Sequence, residues 1–187
     1  LHNRHLRRAL ALAIDRAKIP RFTHGGEIPS AQLVPGTPIH MLTAAQRALC
    51  GVAPGPPAVA LTMAGGTRCY LPPPGLDYVL AAARAELALA KQEMGAAFPA
   101  VLHYRYNVGA EAHKQIAEYL QAAWQRLGLH VELEAQEWNL MLADTLSGNY
   151  ELVRFGDQGS IVNPESEFLR PLLMCGASQN RGRYCNP

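Results

Sequence analysis

The sequence is poor in charge and in aromatic residues, and it contains no long apolar run. Charged residues make up 17% of its 187 residues and aromatic residues 7%, and the formal net charge is +2. No apolar stretch reaches the roughly 20 residues that span a bilayer. No run of lysine and arginine follows a helix, as is common in proteins that bind nucleic acid. The composition therefore predicts a globular protein without a nucleic-acid partner.

The sequence also lacks the C-x-x-C spacing typical of zinc sites and thioredoxin-type motifs. Its four cysteines instead form two local pairs along the chain. We predict the disulfides Cys50–Cys69 and Cys175–Cys185, which indicates an oxidising compartment. The alternative is four buried or free thiols in a cytosolic protein. We predict no metal site and no cofactor.

No leader-like segment is present at the start of the chain. The sequence begins at Leu1 without a methionine and is in a helical pattern by Arg4, and it stops at Pro187 in a predicted loop. We therefore expect the chain to be a fragment of a longer protein.

Most prolines and many glycines fall within residues 20–75. Such residues favour turns over regular elements, so we predict a long irregular segment there. Within it, residues 44–50 are a candidate short helix and residues 59–63 a candidate short strand.

Regular elements are predicted on both sides of this segment. Apolar residues at helical spacing predict a helix over residues 3–18, with Asn3 as its N-cap. From residue 76 onward, helices and strands alternate. The predicted helices are 76–94, 110–127, 139–147 and 164–173, and the predicted strands are 100–106, 130–135 and 150–155. This order predicts an α/β fold, a mixed sheet with alternating helices and strands.

The loop that follows the third of these strands is the first place to look for a site. In such sheets, ligands bind beyond the carboxyl ends of the strands. The loop supplies backbone freedom at Gly156, a carboxylate at Asp157, an amide at Gln158 and a hydroxyl at Ser160. The alternative is an ordinary solvated loop.

Three stretches of the sequence resemble one family, the periplasmic oligopeptide-binding proteins that serve ABC importers. The first is LRRALALAIDRAKI at 6–19. The second covers 106–156 and contains a Y-N turn, a His-Lys helix, the strand V-x-L-x-x-Q-E-W and the strand G-x-Y-x-x-x-R-x-G. The third is GRYCNP at 182–187. Several motifs in the right order make this resemblance specific.

The resemblance implies a two-lobed protein in which residues 1–187 form a single lobe, a periplasmic-binding-protein-like part of the second large lobe. It implies a solute-binding component of an ABC importer, with a peptide or modified peptide as ligand and a membrane permease as partner. It also implies a periplasmic or extracytoplasmic, membrane-associated location, and binding without catalysis.

The resemblance also suggests ligand-binding residues. Trp138 matches the family's cleft tryptophan, Arg154 matches the arginine of its strand, and His113 matches a histidine near the carboxyl end of the peptide in some members. Other roles stay open for each of them. Trp138 could belong to the core, Arg154 could pair with Glu137 or Asp157, and His113 could be a solvated or capping residue.

The loop departs from the family pattern W-x-x-D-Y-x-x-P, whose aspartate pairs with the α-ammonium group of the peptide. Here Asp157 stands at the tryptophan position and Ser160 at the aspartate position. A serine cannot neutralise an ammonium group, which favours a modified peptide or a non-peptide solute. A sensor or scaffold lobe is a second possibility. A hydrolase using Ser160, Asp157 and His113 is a weaker one, because no nucleophile elbow surrounds the serine.

Overall fold

The computed structural model describes residues 1–23, 59–63, 66–70, 78–156 and 165–185. The chain divides into two compact units. The first contains Leu1–Pro29 and Leu76–Asp157, and the second contains Ser30–Gly75 and Gln158–Pro187. The candidate helix at 44–50 lies outside the described residues, and the single-lobe organisation stays a prediction.

From residue 80 onward, the helices and strands of the described residues follow one another in the predicted alternating order. The helices are α1 (Arg4–Leu12), α2 (Pro20–Thr23), α3 (Leu80–Met94), α4 (Glu111–Gln125), α5 (Trp138–Ser147) and α6 (Arg170–Leu173). The strands are β1 (Val59–Met63), β2 (Gly66–Tyr70), β3 (Leu102–Asn107), β4 (Val131–Gln136) and β5 (Leu152–Val153). Short 3-10 turns lie at Arg16–Lys18 and Gly95–Ala97, and a π-helical turn lies at Glu165–Leu169.

The first unit is built on a parallel sheet with the strand order β4-β3-β5. Leu102 pairs with Val131 and Asn107 with Gln136, and on the other side Tyr104 pairs with Leu152. Helix α4 connects β3 to β4, and α5 connects β4 to β5. The parallel sheet with crossover helices confirms the α/β fold class.

The two faces of β3 differ in their surroundings. Leu102, Tyr104 and Tyr106 are buried and belong to the same apolar core as residues of α1, α3 and α4. The alternate residues of β3 are only half-buried, and α5 packs against this strand. We call the side with Tyr104 the inner face and the side with Arg105 the outer face.

Helix α4 is predicted with one apolar side, and the structure confirms it. Leu120, Trp124 and Leu127 lie in the core. The indole nitrogen of Trp124 also donates a hydrogen bond of 3.0 Å to the carbonyl oxygen of Leu10 in α1. Packing and this buried hydrogen bond together fix α4 against α1.

The first helix is shorter than predicted. Asn3 caps it as expected, because its side chain accepts a hydrogen bond from the amide of Leu6. The helix nevertheless ends at Leu12 and not near residue 18. The hydroxyl of Tyr119 accepts from the amide of Asp15 and donates to its carbonyl oxygen, at 3.1 and 2.9 Å. These bonds hold Asp15 in an extended conformation, so a distant residue ends the helical path.

Other boundaries also differ from the predictions. The predicted strand over 59–63 is confirmed, but it pairs antiparallel with β2, which the pattern did not predict. The predicted strand over 150–155 is reduced to Leu152–Val153. The predicted helix over 164–173 is a π-helical turn followed by α6.

The second unit contains the predicted disulfide between Cys175 and Cys185. Inside the loop that it closes, the side chain of Asn180 donates to the carbonyl oxygens of Met174 and Tyr184. The partner predicted for Cys69, Cys50, lies outside the described residues, so that disulfide stays a prediction. Among the helices of the described residues, none has the length and apolarity required to cross a membrane.

Candidate functional site

The carboxyl ends of the three parallel strands meet at one edge of the sheet, which we call the carboxyl edge. The hydrogen-bond ladder continues one residue beyond the strands. The amide of Val108 donates to the carbonyl oxygen of Gln136 at 2.9 Å, and the amide of Arg154 donates to that of Arg105 at 2.8 Å. The backbone that carries the predicted site residues is therefore fixed by the sheet.

Arg154 is a half-buried cation at this edge. Burial lowers the pKa of its guanidinium from its usual range, and the nearby Tyr104 opposes that shift. No hydrogen bond or ion pair joins the guanidinium to another group within the described ranges. Glu137, one of its candidate partners, instead accepts a hydrogen bond from the amide of Asn139 at 2.7 Å and caps α5. Arg154 thus carries an uncompensated positive charge among the described residues.

The guanidinium of Arg154 lies over Gly156. A Cβ added to this glycine would be 3.5 Å from the Nη1 atom of the arginine, which is ordinary van der Waals contact. Gly156 itself is exposed to solvent, three residues beyond the end of β5.

His113 lies close to this arginine, in the first turn of α4. Burial lowers the pKa of its imidazole, the positive charge of Arg154 lowers it further, and a hydrogen bond with the backbone of Asn107 opposes both effects. Its Nδ1 atom is buried without a hydrogen-bond partner in the described part of the chain. The structure brings together a guanidinium and an imidazole that favours its neutral form.

Trp138 is at the same edge, as the first residue of α5. It is 39% exposed, which rules out the alternative of a fully buried core residue. Its ring stacks on that of Phe155, with centroids 5.7 Å apart and an angle of 28° between the planes. The site residues thus form two pairs, His113 with Arg154 and Trp138 with Phe155. Asp157, Gln158 and Ser160 lie outside the described residues, so their predicted roles stay predictions.

Asp144 of α5 binds polar side chains from β3, from β4 and from the turn after α5. Its carboxylate accepts hydrogen bonds from Gln136 at 2.7 Å, from Arg105 at 2.9 Å and from Asn149 at 3.1 Å. The bonds from Gln136 and then Asn149 are the main causes that lower the pKa of Asp144. Sequence reasoning missed this cluster, because its members are brought together only by the fold.

The side-chain oxygens of Asn107 and Gln136 are also buried and unpartnered within the described ranges. These two residues pair across β3 and β4. The carboxyl edge therefore combines a cation, an exposed aromatic ring and polar groups with unused hydrogen-bonding capacity, which suits a solute that is both polar and apolar.

A cavity of about 380 Å³ lies elsewhere in the first unit, near the start of β5. The residues that line it are His103, Arg105, Glu134, Gly148, Asn149, Tyr150, Glu151 and Leu152. His103 Nδ1 is 3.0 Å from Glu134 Oε1. The nitrogen has no well-aligned hydrogen bond among the described residues. The two side chains form an ion pair only when the imidazole is protonated. No group of three or more possible metal ligands is found in the described parts of the chain.

Comparison with known proteins identifies the family. Residues 1–180 match the family described as bacterial extracellular solute-binding proteins, family 5 Middle. The chain belongs to this family. The resemblance predicted from the sequence motifs is therefore confirmed.

Relatives with known structure or function support the assignment to family 5. The periplasmic murein peptide-binding protein MppA of Escherichia coli (strain K12) is 33% identical over 106 residues, which is 56% of this chain and 19% of that protein. The structure of the Escherichia coli murein tripeptide binding protein MppA matches with a TM-score of 0.64 and 26% identity, over 98% of this chain and 31% of the other. OppA of Burkholderia pseudomallei matches in fold with a TM-score of 0.69 and 22% identity, over 99% of this chain and 32% of that one.

The chain spans less than a third of the length of the curated relative and about a third of these solved structures. The family and these relatives are binding proteins, and the relatives with printed locations are periplasmic. At the carboxyl edge, the sequence predicted His113, Trp138 and Arg154 as ligand-binding residues. It did not predict a role for Phe155. A phenylalanine between an arginine and a glycine has no pattern that marks it as a site residue.

Proposed function

We propose that this chain is one ligand-binding lobe of an extracytoplasmic solute-binding protein whose solute is a peptide or a modified peptide. The solute binds at the carboxyl edge, between this lobe and a second lobe. The protein then delivers it to the membrane permease of an ABC importer. In this proposal the protein acts by binding, without catalysis, at the outer side of the cytoplasmic membrane.

The observation that carries this proposal is the charge of Arg154. Among the described residues this half-buried guanidinium has no carboxylate partner, and the free-energy cost of burying such a charge is recovered when an anionic group binds it. Arginine holds a carboxylate through two parallel N–H donors. The carboxyl terminus of a short peptide is such a group, and this assigns Arg154 to its recognition.

His113 supports the same assignment, because its imidazole lies within electrostatic reach of the guanidinium. A neutral imidazole can donate or accept a hydrogen bond, so it adds a polar contact without repelling the arginine. Trp138, Gly156 and the loop residues Asp157, Gln158 and Ser160 complete the proposed ligand-binding set. In this set Trp138 supplies apolar contact area, and Gly156 leaves room for the ligand backbone.

Calorimetry on the intact protein that carries this chain tests the proposal. The probes are trialanine and trialanine amide, which differ only in the charge of the carboxyl end. We expect trialanine to bind at least about tenfold more tightly, because a charge-assisted hydrogen bond is lost in the amide. Replacing Arg154 with methionine is expected to remove most of this difference.

Arg126→Met is the matched control, because Arg126 is exposed just after α4 and its side chain donates, within the described ranges, to the carbonyl oxygen of Ala122 at 3.4 Å. It should keep the preference for trialanine. If neither these probes nor a panel of dipeptides to pentapeptides binds the intact protein, the proposal is wrong for peptides and the non-peptide or sensor alternatives stand. The isolated chain should bind more weakly than the intact protein, because it provides only one side of the site. Sub-micromolar binding by the isolated chain would contradict the two-lobed part of the proposal.

A further inference from the structure

Phe155 and Trp138 form an aromatic pair at the carboxyl edge. Their ring planes are 28° apart, with centroids separated by 5.7 Å, which lies in the range of favourable aromatic contacts. Phe155 is half-buried, whereas 39% of Trp138 is exposed. One side of the indole is therefore taken by the phenylalanine, while part of the ring stays accessible to a ligand.

The backbone on each side of this pair is fixed. Trp138 begins α5 directly after Glu137, whose side chain caps the helix. Phe155 follows Arg154, whose amide is bound to β3. No hydrogen bond of the Trp138 side chain is found within the described ranges, so the stack on Phe155 is the described contact that orients the indole.

The surroundings of the pair combine apolar surface with positive charge. Val108, which is 48% exposed, is bound through its amide to Gln136, two residues before Trp138. Arg154 and Phe155 are the first two residues beyond β5, so the backbone holds the cation and the aromatic pair at the same end of the sheet. A ligand that uses both needs an anionic group and an apolar group close together.

We propose that Phe155 is a positioning residue that holds the indole of Trp138, and that the pair makes the site select short peptides with an aromatic side chain near the carboxyl end. The occupant of the exposed indole surface is then the aromatic side chain of the peptide. This inference rests on the proposed function, because it assumes a peptide at Arg154. It goes further by naming the kind of side chain that the site prefers.

The test compares the binding of four tripeptides to the intact protein by calorimetry. They are trialanine and the three tripeptides in which phenylalanine replaces the first, the second or the third alanine. For the unmodified protein we expect one phenylalanine position, the last or the one before it, to improve affinity at least about tenfold over trialanine. Phe155→Leu keeps an apolar side chain but removes the ring, and it should reduce this preference by roughly three- to tenfold.

Two further variants separate positioning from a general loss of structure. Phe155→Tyr retains the ring and should restore the preference. Phe98→Leu makes the same substitution at another half-buried phenylalanine of the first unit, where the ring contacts Lys91, and it should leave the preference unchanged. A structural defect would lower the affinity for all four tripeptides together and leave their ratios intact.

The outcomes distinguish this inference from the proposal on which it rests. Binding of all four peptides without a preference for phenylalanine would overturn the inference and leave peptide binding standing. A preference that Phe155→Leu does not reduce would assign the selectivity to other residues and would overturn the role of Phe155. Failure of all peptides to bind would overturn both.

Discussion

Two arginines on neighbouring strands show how differently the same side chain is used at the residue scale. Arg105 on β3 donates to Glu134, to Asp144 and to the carbonyl oxygen of Asn149. Its side chain is 16% exposed. Arg154, one residue beyond β5, has none of these partners among the described residues. Among the described residues, the charge of the first arginine is compensated and that of the second is not.

Thermal and urea unfolding of Arg154→Met and Arg105→Met test this contrast. We expect Arg154→Met to be neutral or slightly stabilising, because it removes a charge whose burial is not compensated. Arg105→Met should lower the free energy of unfolding by at least about 1 kcal/mol, because it removes the guanidinium that Glu134 and Asp144 share. A loss of similar size in Arg154→Met would mean that this arginine has a structural partner, and its role in the site would have to be given up.

Local signals made some single-residue predictions reliable. The cap at Asn3 depends on an oxygen that reaches the amide three residues later, which is a property of a short stretch of sequence. The end of α1 depends instead on the hydroxyl of Tyr119, which is 104 residues away from Asp15. The contact between Trp138 and Phe155 likewise requires that α5 and β5 already be in place. Such residues could not be predicted from spacing alone.

At the scale of elements, the carboxylate of Glu86 links α1 and α3 in addition to their apolar contact. Glu86 of α3 accepts a hydrogen bond of 2.7 Å from Arg8, and its other carboxylate oxygen is 2.6 Å from His5 Nδ1. The second ring nitrogen of His5 is 3.2 Å from the carboxylate of Glu93. The side chain of Glu86 is only 17% exposed. The bond with His5, followed by the bond with Arg8, lowers the pKa of Glu86 below 4.5. The ionised carboxylate is therefore the form that joins the two helices.

This pKa shift predicts an acid sensitivity with a definite sign. Because the pKa of Glu86 is lower in the folded state, its contribution is present above about pH 4.5 and is lost as the pH falls through the folded-state value. At pH 6, Glu86→Gln should be less stable than the unmodified chain by about 1 kcal/mol, and this difference should shrink between pH 4.5 and pH 3. The measurement is urea unfolding across this pH range.

Glu118→Gln is the control for this prediction, because Glu118 is 54% exposed and lies 3.9 Å from Lys114. It should change stability little at any pH in the range. A difference between Glu86→Gln and the unmodified chain that does not depend on pH would contradict the role assigned to the ionised carboxylate.

At the scale of the whole molecule, the alternation of helices and strands was sufficient to predict the class of the fold. Hydrophobic alternation in residues 100–106 and helical spacing in residues 110–127 reflect burial on one side, which the structure confirms in β3 and α4. The strand order β4-β3-β5 and the pairing of residues do not follow from these patterns. They depend on contacts between distant elements, and they decide which side chains meet at the carboxyl edge.

The same scale explains why the sequence could predict a place for the candidate site but not all of its residues. A parallel sheet places its strand ends at one edge, so the loop after the third strand was a sound place to look. His113 joins this edge because α4 starts just after β3. The resemblance predicts an aspartate for the α-ammonium group at the position of Ser160, and this departure favours a modified ligand.

The central claim is that the solute binds at the carboxyl edge next to Arg154 and Trp138. A structure of the intact protein with the solute that it retains through purification tests this claim most directly. The account predicts an anionic group of the solute within hydrogen-bonding distance of the Arg154 guanidinium and an apolar group on the indole of Trp138. A solute that contacts neither residue, for example one bound in the cavity beside Glu151, would contradict it.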